Sequence, residues 1–113
     1  GGEWISSLAL EDLVSRHPAV REVAVVGIAD PQWGERPFAL LVVREGHVID
    51  ARELKEHLKP FVELGHLSKW AIPSQIAVVT EIPKTSVGKL DKKRIRVDII
   101  EWQANNSTFL STL

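Results

Sequence analysis

The stretch EVAVVGI, at residues 22–28, is an apolar run rich in β-branched residues behind a single glutamate. Such a run is typical of a strand that is buried on both faces. Two further runs, FALLVV at 38–43 and QIAVVT at 75–80, have the same character. Between the first two lies ADPQWGERP, whose two prolines and glycine exclude a tight two-residue turn. The sequence therefore predicts a sheet of three or more strands.

A short helix is predicted ahead of these strands, in SSLALEDLVSRHP (6–18). A serine can cap its start, and the proline ends it. Glu11 and Asp12 are expected on its exposed side. Its apolar stripe, spaced i, i+3, i+4, consists of Leu10, Leu13 and Val14.

Two more helices are predicted between and after the strands. DARELKEHLKPF (50–61) begins with Asp50 as N-cap and has Glu53 three residues later, the capping-box pattern. Asp91 caps the last helix, whose apolar positions are Ile95, Ile99 and Trp102. The order helix–strand–strand–helix–strand–helix predicts a small α+β sandwich, with about three helices packed on the sheet.

Composition limits what the chain can be. Its 113 residues, 44% hydrophobic and 26% charged with a net charge of −1, indicate one globular domain and give no reason to expect a polyanion partner. There is no cysteine, so a disulfide framework and a thiol nucleophile are excluded. No apolar run reaches the roughly 18 residues of a membrane span. We expect a cytoplasmic location, and we interpret a chain that lacks methionine and opens on Gly1-Gly2 as a piece of a longer protein.

The segment IPKTSVGKLDKKRIR (82–96) contains the first candidate for chemistry. Gly88 permits a positive φ, so a tight loop can aim the next side chain, Lys89, outward. Lys89 is then either a donor to a phosphate or carboxylate, or a solvated charge on a turn that begins a helix. A phosphate-binding P-loop is excluded, because its first glycine is missing and Leu90 replaces the Ser/Thr.

Other features leave further alternatives open. The basic residues of the last helix are interpreted as a solvated face rather than a nucleic-acid patch; they are Lys92, Lys93, Arg94 and Arg96. Gly1-Gly2-Glu3 is either a close-approach strand or a linker. Trp33 and Trp70 lie in non-helical stretches, where an indole can stack on a flat group or cover the edge of the core. The four histidines show no ligand spacing, so we predict no metal site.

Taken together, residues 1–43 and KWAIPSQIAVVTEIPKTSVGKLDKKRIR (69–96) resemble the C-terminal domain of the adenylate-forming superfamily of AMP-forming acyl-CoA synthetases. The resemblance rests on Gly-Gly-Glu-x-Ile-Ser, then Trp-Gly-Glu, then Pro-Lys-Thr-x-x-Gly-Lys, in this order. Trp4 and the closing motif are most similar to medium- and long-chain fatty-acid–CoA ligases. Residues 1–100 would be the mobile C-terminal domain and 101–113 a helix end and frayed tail, with the N-terminal domain that binds ATP and acid absent.

The resemblance also implies a mechanism and roles. A carboxylic acid and Mg-ATP give an acyl-adenylate and pyrophosphate, and CoA then displaces AMP. Lys89 is the expected catalytic residue of the first step. Gly1, Gly2, Glu3, Trp33 and Trp70 are expected to contact CoA in the second. ATP and Mg²⁺ would be held mainly by the N-terminal domain, which is the expected partner together with CoA and acyl-adenylate.

Two other interpretations remain open. The same domain could come from an aryl-CoA ligase or a carrier-protein-loading adenylation enzyme. A different class, a stand-alone module that binds an anion or a nucleic acid through the basic helix, would need neither CoA nor a second domain. We expect no nucleic-acid partner and no transmembrane segment, and we expect the isolated domain to be inactive.

Overall fold

The computed structural model describes residues 7–30, 32, 34–67, 72–73, 75–104 and 110–112. Three helices and four strands occur within them, and the predicted α+β fold is confirmed. In chain order the elements are α1 (Ser7–Ser15), β1 (Val20–Asp30), β2 (Gly34–Val43), α2 (Ala51–Glu63), β3 (Gln75–Val78), α3 (Lys92–Ala104) and β4 (Leu110–Thr112).

The strands form one mixed sheet in the order β1-β2-β3-β4. β1 and β2 pair antiparallel, β2 and β3 pair parallel, and β3 and β4 pair antiparallel. Parallel neighbours need a long crossover connection, and α2 lies in the one between β2 and β3. The tail beyond α3, which we expected to fray, contributes Leu110–Thr112 to the edge of the sheet.

The first two strands are longer than their apolar runs. Their pairing extends from Val20 opposite Val43 to Asp30 opposite Gly34. Ladder hydrogen bonds are made by the backbone, so pairing continues through polar residues once the apolar part sets the register. Because Asp30 and Gly34 face each other, the connection is longer than two residues, as predicted. β3 ends at Val78, two residues before the predicted end.

An apolar layer covers each side of the sheet. Successive residues of a strand point to opposite faces, so Val25 packs with α1 and α2, whereas Ala24 and Val26 pack with α3. The first layer includes Leu10, Val14, Leu41, Leu54, Leu58 and Ile76. The second includes Phe38, Leu40, Ala77, Ile82, Ile95 and Ile99. Burial on both faces explains why β1 and β2 have nearly continuous apolar sequences.

Aspartates begin two of the helices, as predicted. The Glu53 N–H donates to Asp50 Oδ1 at 2.8 Å at the start of α2. The Arg94 N–H donates to Asp91 Oδ1 at 3.1 Å at the start of α3. Each aspartate satisfies an N–H that has no partner within its helix. The cap at Asp91 also fixes the point at which the segment containing Lys89 turns into α3.

Candidate functional site

Lys89 lies in a short hairpin, residues 84–90, that leads from the sheet into α3. Lys84 and Leu90 face each other in an antiparallel bridge. Inside it, the Thr85 N–H donates to the Lys89 carbonyl oxygen at 2.7 Å, and the Lys89 N–H lies 3.3 Å from Thr85 Oγ1. Outside it, the Asp91 N–H donates to the Pro83 carbonyl oxygen at 2.9 Å. The backbone of Lys89 is therefore held from both sides.

The turn of this hairpin requires a glycine. Gly88 has a φ of +84°, which L side chains rarely adopt, and its N–H donates to the Thr85 carbonyl oxygen at 2.9 Å. A Cβ at Gly88 would meet no atom within 4 Å. The requirement is therefore for the backbone conformation and not for space.

The Lys89 side chain is exposed. It forms no ion pair with any carboxylate in the part of the chain that the structure describes. A lysine buried and paired inside the fold could not reach an external anion. Because Lys89 is exposed and forms no such ion pair, its ammonium group can reach an anion outside the fold. Its catalytic role remains a prediction.

A second lysine of the same motif has a partner. Lys84 Nζ lies 2.7 Å from Glu22 Oε1, with the two side chains 42% and 30% exposed. Glu22 belongs to β1, opposite Val42 of β2. The ion pair therefore joins the incoming arm of the hairpin to the sheet.

Lys92, which follows the hairpin, has two partners for its ammonium group, one more than the structure gives for Lys84. Its Nζ donates to Glu11 Oε2 at 2.6 Å and to the Val25 carbonyl oxygen at 2.7 Å. The Val25 N–H donates to the same Glu11 oxygen at 2.6 Å. We expected Glu11 on the exposed side of α1 and Lys92 on a solvated face of the last helix, and both expectations are wrong. The two side chains close over the backbone of the edge strand β1, whose outward N–H and C=O need partners.

The remaining basic residues of the last helix are exposed, as predicted for a solvated face; they are Lys93, Arg94 and Arg96. Arg94 Nε donates to Asp98 Oδ1 at 3.1 Å, one turn further along α3. Part of the basic charge is thus neutralised within the helix, which weakens its attraction for a polyanion.

The histidines near the first helix connect it to α2. His17 Nδ1 accepts the Ala19 N–H at 3.0 Å, and its Nε2 lies 3.0 Å from Glu53 Oε2. His57 Nε2 lies 2.8 Å from the Leu13 carbonyl oxygen.

Among the described residues, no three His, Asp or Glu side chains are grouped to hold a metal ion. The Mg²⁺ that the resemblance implies therefore has no ligand set among the described residues.

The predicted CoA contacts are not tested by the structure. The structure does not describe the five residues concerned, which are Gly1, Gly2, Glu3, Trp33 and Trp70.

None of the described helices is long and apolar enough to cross a membrane.

Sequence reasoning missed the two ion pairs that connect the hairpin region to α1 and β1. Glu11 is adjacent to Leu10 and borders the apolar stripe of α1, which was a weak signal for burial. The pairing of Lys84 with Glu22 had no local signal, because the two residues are far apart in sequence.

Comparison with known proteins identifies the family. Residues 9–89 match the AMP-binding enzyme C-terminal domain. The chain is 46% identical over 96 residues to the long-chain-fatty-acid–CoA ligase of Thermus thermophilus, covering 85% of this chain and 17% of that protein. It is 40% identical over 95 residues to the mitochondrial malonate–CoA ligase of Homo sapiens, covering 84% of this chain and 16% of that protein.

Solved structures agree with this match. An acyl-CoA synthetase of Brucella canis superimposes with a TM-score of 0.75 at 37% identity, over 88% of this chain and 18% of that one. An amide bond synthetase of Marinactinospora thermotolerans gives a TM-score of 0.73 at 34% identity, over 82% of this chain and 18% of that one. In each case the chain spans less than a fifth of its relative. The chain therefore belongs to the AMP-binding enzyme C-terminal domain family, within the adenylate-forming superfamily.

Proposed function

We propose that this chain is the C-terminal lid domain of an ATP-dependent, AMP-forming fatty-acid–CoA ligase. The parent enzyme joins a carboxylic acid to ATP, releasing pyrophosphate and forming an acyl-adenylate. The thiol of CoA then attacks the acyl carbon and AMP leaves. In this proposal Lys89 contacts the carboxylate and the α-phosphate during the first step only.

The observation that carries the proposal is the state of the Lys89 side chain. It is exposed on an ordered hairpin, directly after a glycine with positive φ, and it has no carboxylate partner in the described parts of the chain. A cation kept free in this way can be presented to an anion held by another domain. Lys84 and Lys92, on either side of it, already have partners.

Electrostatics explains why a second domain is needed. A lysine about 4 Å from an anion gains about 1 kcal/mol in water, and about 4 kcal/mol at an effective dielectric constant of 20. Domain closure lowers the local dielectric by excluding water. Lys89 alone, exposed as it is here, offers only the smaller value.

The second half-reaction uses other parts of the chain in this proposal. Gly1, Gly2 and Glu3 line the channel of the pantetheine arm, and Gly2 keeps the space beside the backbone open. Trp33 and Trp70 contact the nucleotide of CoA. Replacing Trp33 by alanine in the full-length protein should raise the KM for CoA and leave acyl-adenylate formation unchanged.

The fatty-acid substrate rests on similarity. Identity is higher to the Thermus long-chain enzyme than to the human malonate enzyme, which favours a fatty acid. The acid pocket is assigned to the other domain, so an aryl-CoA ligase or a carrier-protein-loading enzyme is the alternative parent. We keep the cytoplasm as the proposed compartment.

Separate assays of the two half-reactions test the role of Lys89 in the full-length protein. Lys89→Ala should lower acyl-adenylate formation, followed as pyrophosphate release, by about 10²–10³-fold, the loss typical when one electrostatic donor to a developing charge is removed. Thioester formation from added acyl-adenylate should survive.

Lys93→Ala is the matched control, because Lys93 is an exposed lysine on α3 in the same basic stretch. It should change neither half-reaction. Equal loss of both half-reactions in Lys89→Ala would contradict the assigned role. Binding of duplex DNA by the 113-residue chain, with a steep dependence on salt, would favour the stand-alone binding module instead.

A further inference from the structure

The hairpin that contains Lys89 has little apolar support at its tip. Ser86, Val87 and Gly88 are all exposed, and Val87 is 77% exposed. Apolar anchoring begins only at the ends, with buried Ile82 before the hairpin and half-buried Leu90 in its last position. The direction of the tip therefore depends on polar contacts of the hairpin arms.

One such contact connects the incoming arm to the sheet. Lys84 is the residue that faces Leu90 across the hairpin, so it sits at the base of the turn. Its Nζ reaches Glu22 Oε1 at 2.7 Å, and Glu22 pairs with Val42 of β2, next to an irregularity in the register between Val20 and Glu22. Strand β1 thus holds one arm through Glu22, while the Asp91 cap of α3 holds the other.

We propose that Lys84 and Glu22 form a positioning pair that orients the hairpin, and with it Lys89, for the adenylation step. This inference rests on the proposed function of Lys89 as the adenylation lysine. Lys84 contacts neither substrate nor nucleotide in this proposal. It acts through Lys89, by keeping the hairpin in the one orientation from which the Lys89 ammonium reaches both anions.

The exposure of the pair sets the size of the expected effect. With side chains 42% and 30% exposed, the pair is screened by solvent and belongs with surface ion pairs. Its loss should lower the equilibrium constant that favours the native orientation of the hairpin by about five-fold at most. Misplacement of a catalytic group adds to that reduction, so we expect adenylation to slow by about three- to ten-fold.

The test uses the full-length protein with the half-reactions measured separately. Lys84→Met keeps the aliphatic stem and removes the charge, and Glu22→Gln removes the partner charge. Each should slow acyl-adenylate formation by about three- to ten-fold and leave thioester formation from added acyl-adenylate within about two-fold of the parent. Lys84→Arg, which can pair with Glu22 again, should recover most of the rate, and Lys93→Met should change neither step.

Two outcomes overturn the proposal. One is unchanged adenylation in Lys84→Met while Lys89→Ala abolishes it, and the other is an equal loss of both half-reactions in Lys84→Met. If Lys89→Ala leaves adenylation intact, the proposed function itself fails. That result does not depend on how the Lys84 variants behave.

Amide hydrogen exchange on the 113-residue chain reports directly on the hairpin. The Thr85 and Gly88 amides are hydrogen-bonded within the hairpin, so in Lys84→Met they should exchange faster, while the amides that pair β1 with β2 should not.

Discussion

Lys92→Met should destabilise the domain far more than the same change at its neighbour Lys93. The Lys92 ammonium bonds both the Glu11 carboxylate and the Val25 carbonyl, and the two paired side chains are 27% and 10% exposed. Methionine keeps the length of the stem and its helix propensity. The substitution therefore removes the charge and its hydrogen bonds, and little else.

The magnitude follows from these contacts. Removing one partner of a fully buried ion pair costs about 3–5 kcal/mol. Two features reduce that cost here: the lysine is about a quarter exposed, and the Glu11 carboxylate keeps the Val25 N–H. The Val25 carbonyl loses its donor, which costs about 1 kcal/mol. We expect a loss of about 2 kcal/mol, a large part of the 5–15 kcal/mol typical of a whole domain.

Urea unfolding of the 113-residue chain, followed by fluorescence of its four tryptophans, measures this loss. With an m-value of about 2 kcal/mol/M, the midpoint should fall by about 1 M. Lys93→Met, at an exposed position, should stay within about 0.5 kcal/mol of the parent. In a Glu11→Gln background, Lys92→Met should lower the free energy of unfolding by less, because no buried carboxylate is then left without its partner. Equal midpoints for Lys92→Met and Lys93→Met would refute the reasoning.

Two further changes test the hairpin and a helix cap. Gly88→Ala should lower the free energy of unfolding by about 1–2 kcal/mol, because alanine is strained at positive φ. Gly46→Ala, at a similar φ of +82° and with equally open surroundings, should lower it by the same amount. In the full-length protein, Gly88→Ala should also slow adenylation, whereas Gly46→Ala should leave adenylation unchanged. Asp50→Ala removes the acceptor of the Glu53 N–H and should cost about 1 kcal/mol in urea unfolding, whereas Asp50→Asn, which caps equally well, should be close to neutral.

Much of the fold could be predicted because its signals are local. The apolar runs of β1 and β2, the stripe of α1 and the aspartates at residues 50 and 91 each act within one element. The strand ends were harder, since backbone pairing carries β1 and β2 past their apolar cores. β4 is only three residues long with one apolar residue, Leu110, too little to predict a strand, and its pairing with β3 exists only once β3 offers an open edge.

For the site, the sequence alone determined the motif: a glycine that permits positive φ, directly before a lysine. Only the tertiary structure decided which lysines are free. Lys84, Lys89 and Lys92 are alike as residues, but the fold brings Glu22 to the first and Glu11 to the third. The reason is physical: a lysine's charge is local, whereas its partner is supplied by elements far away in the chain and near in space.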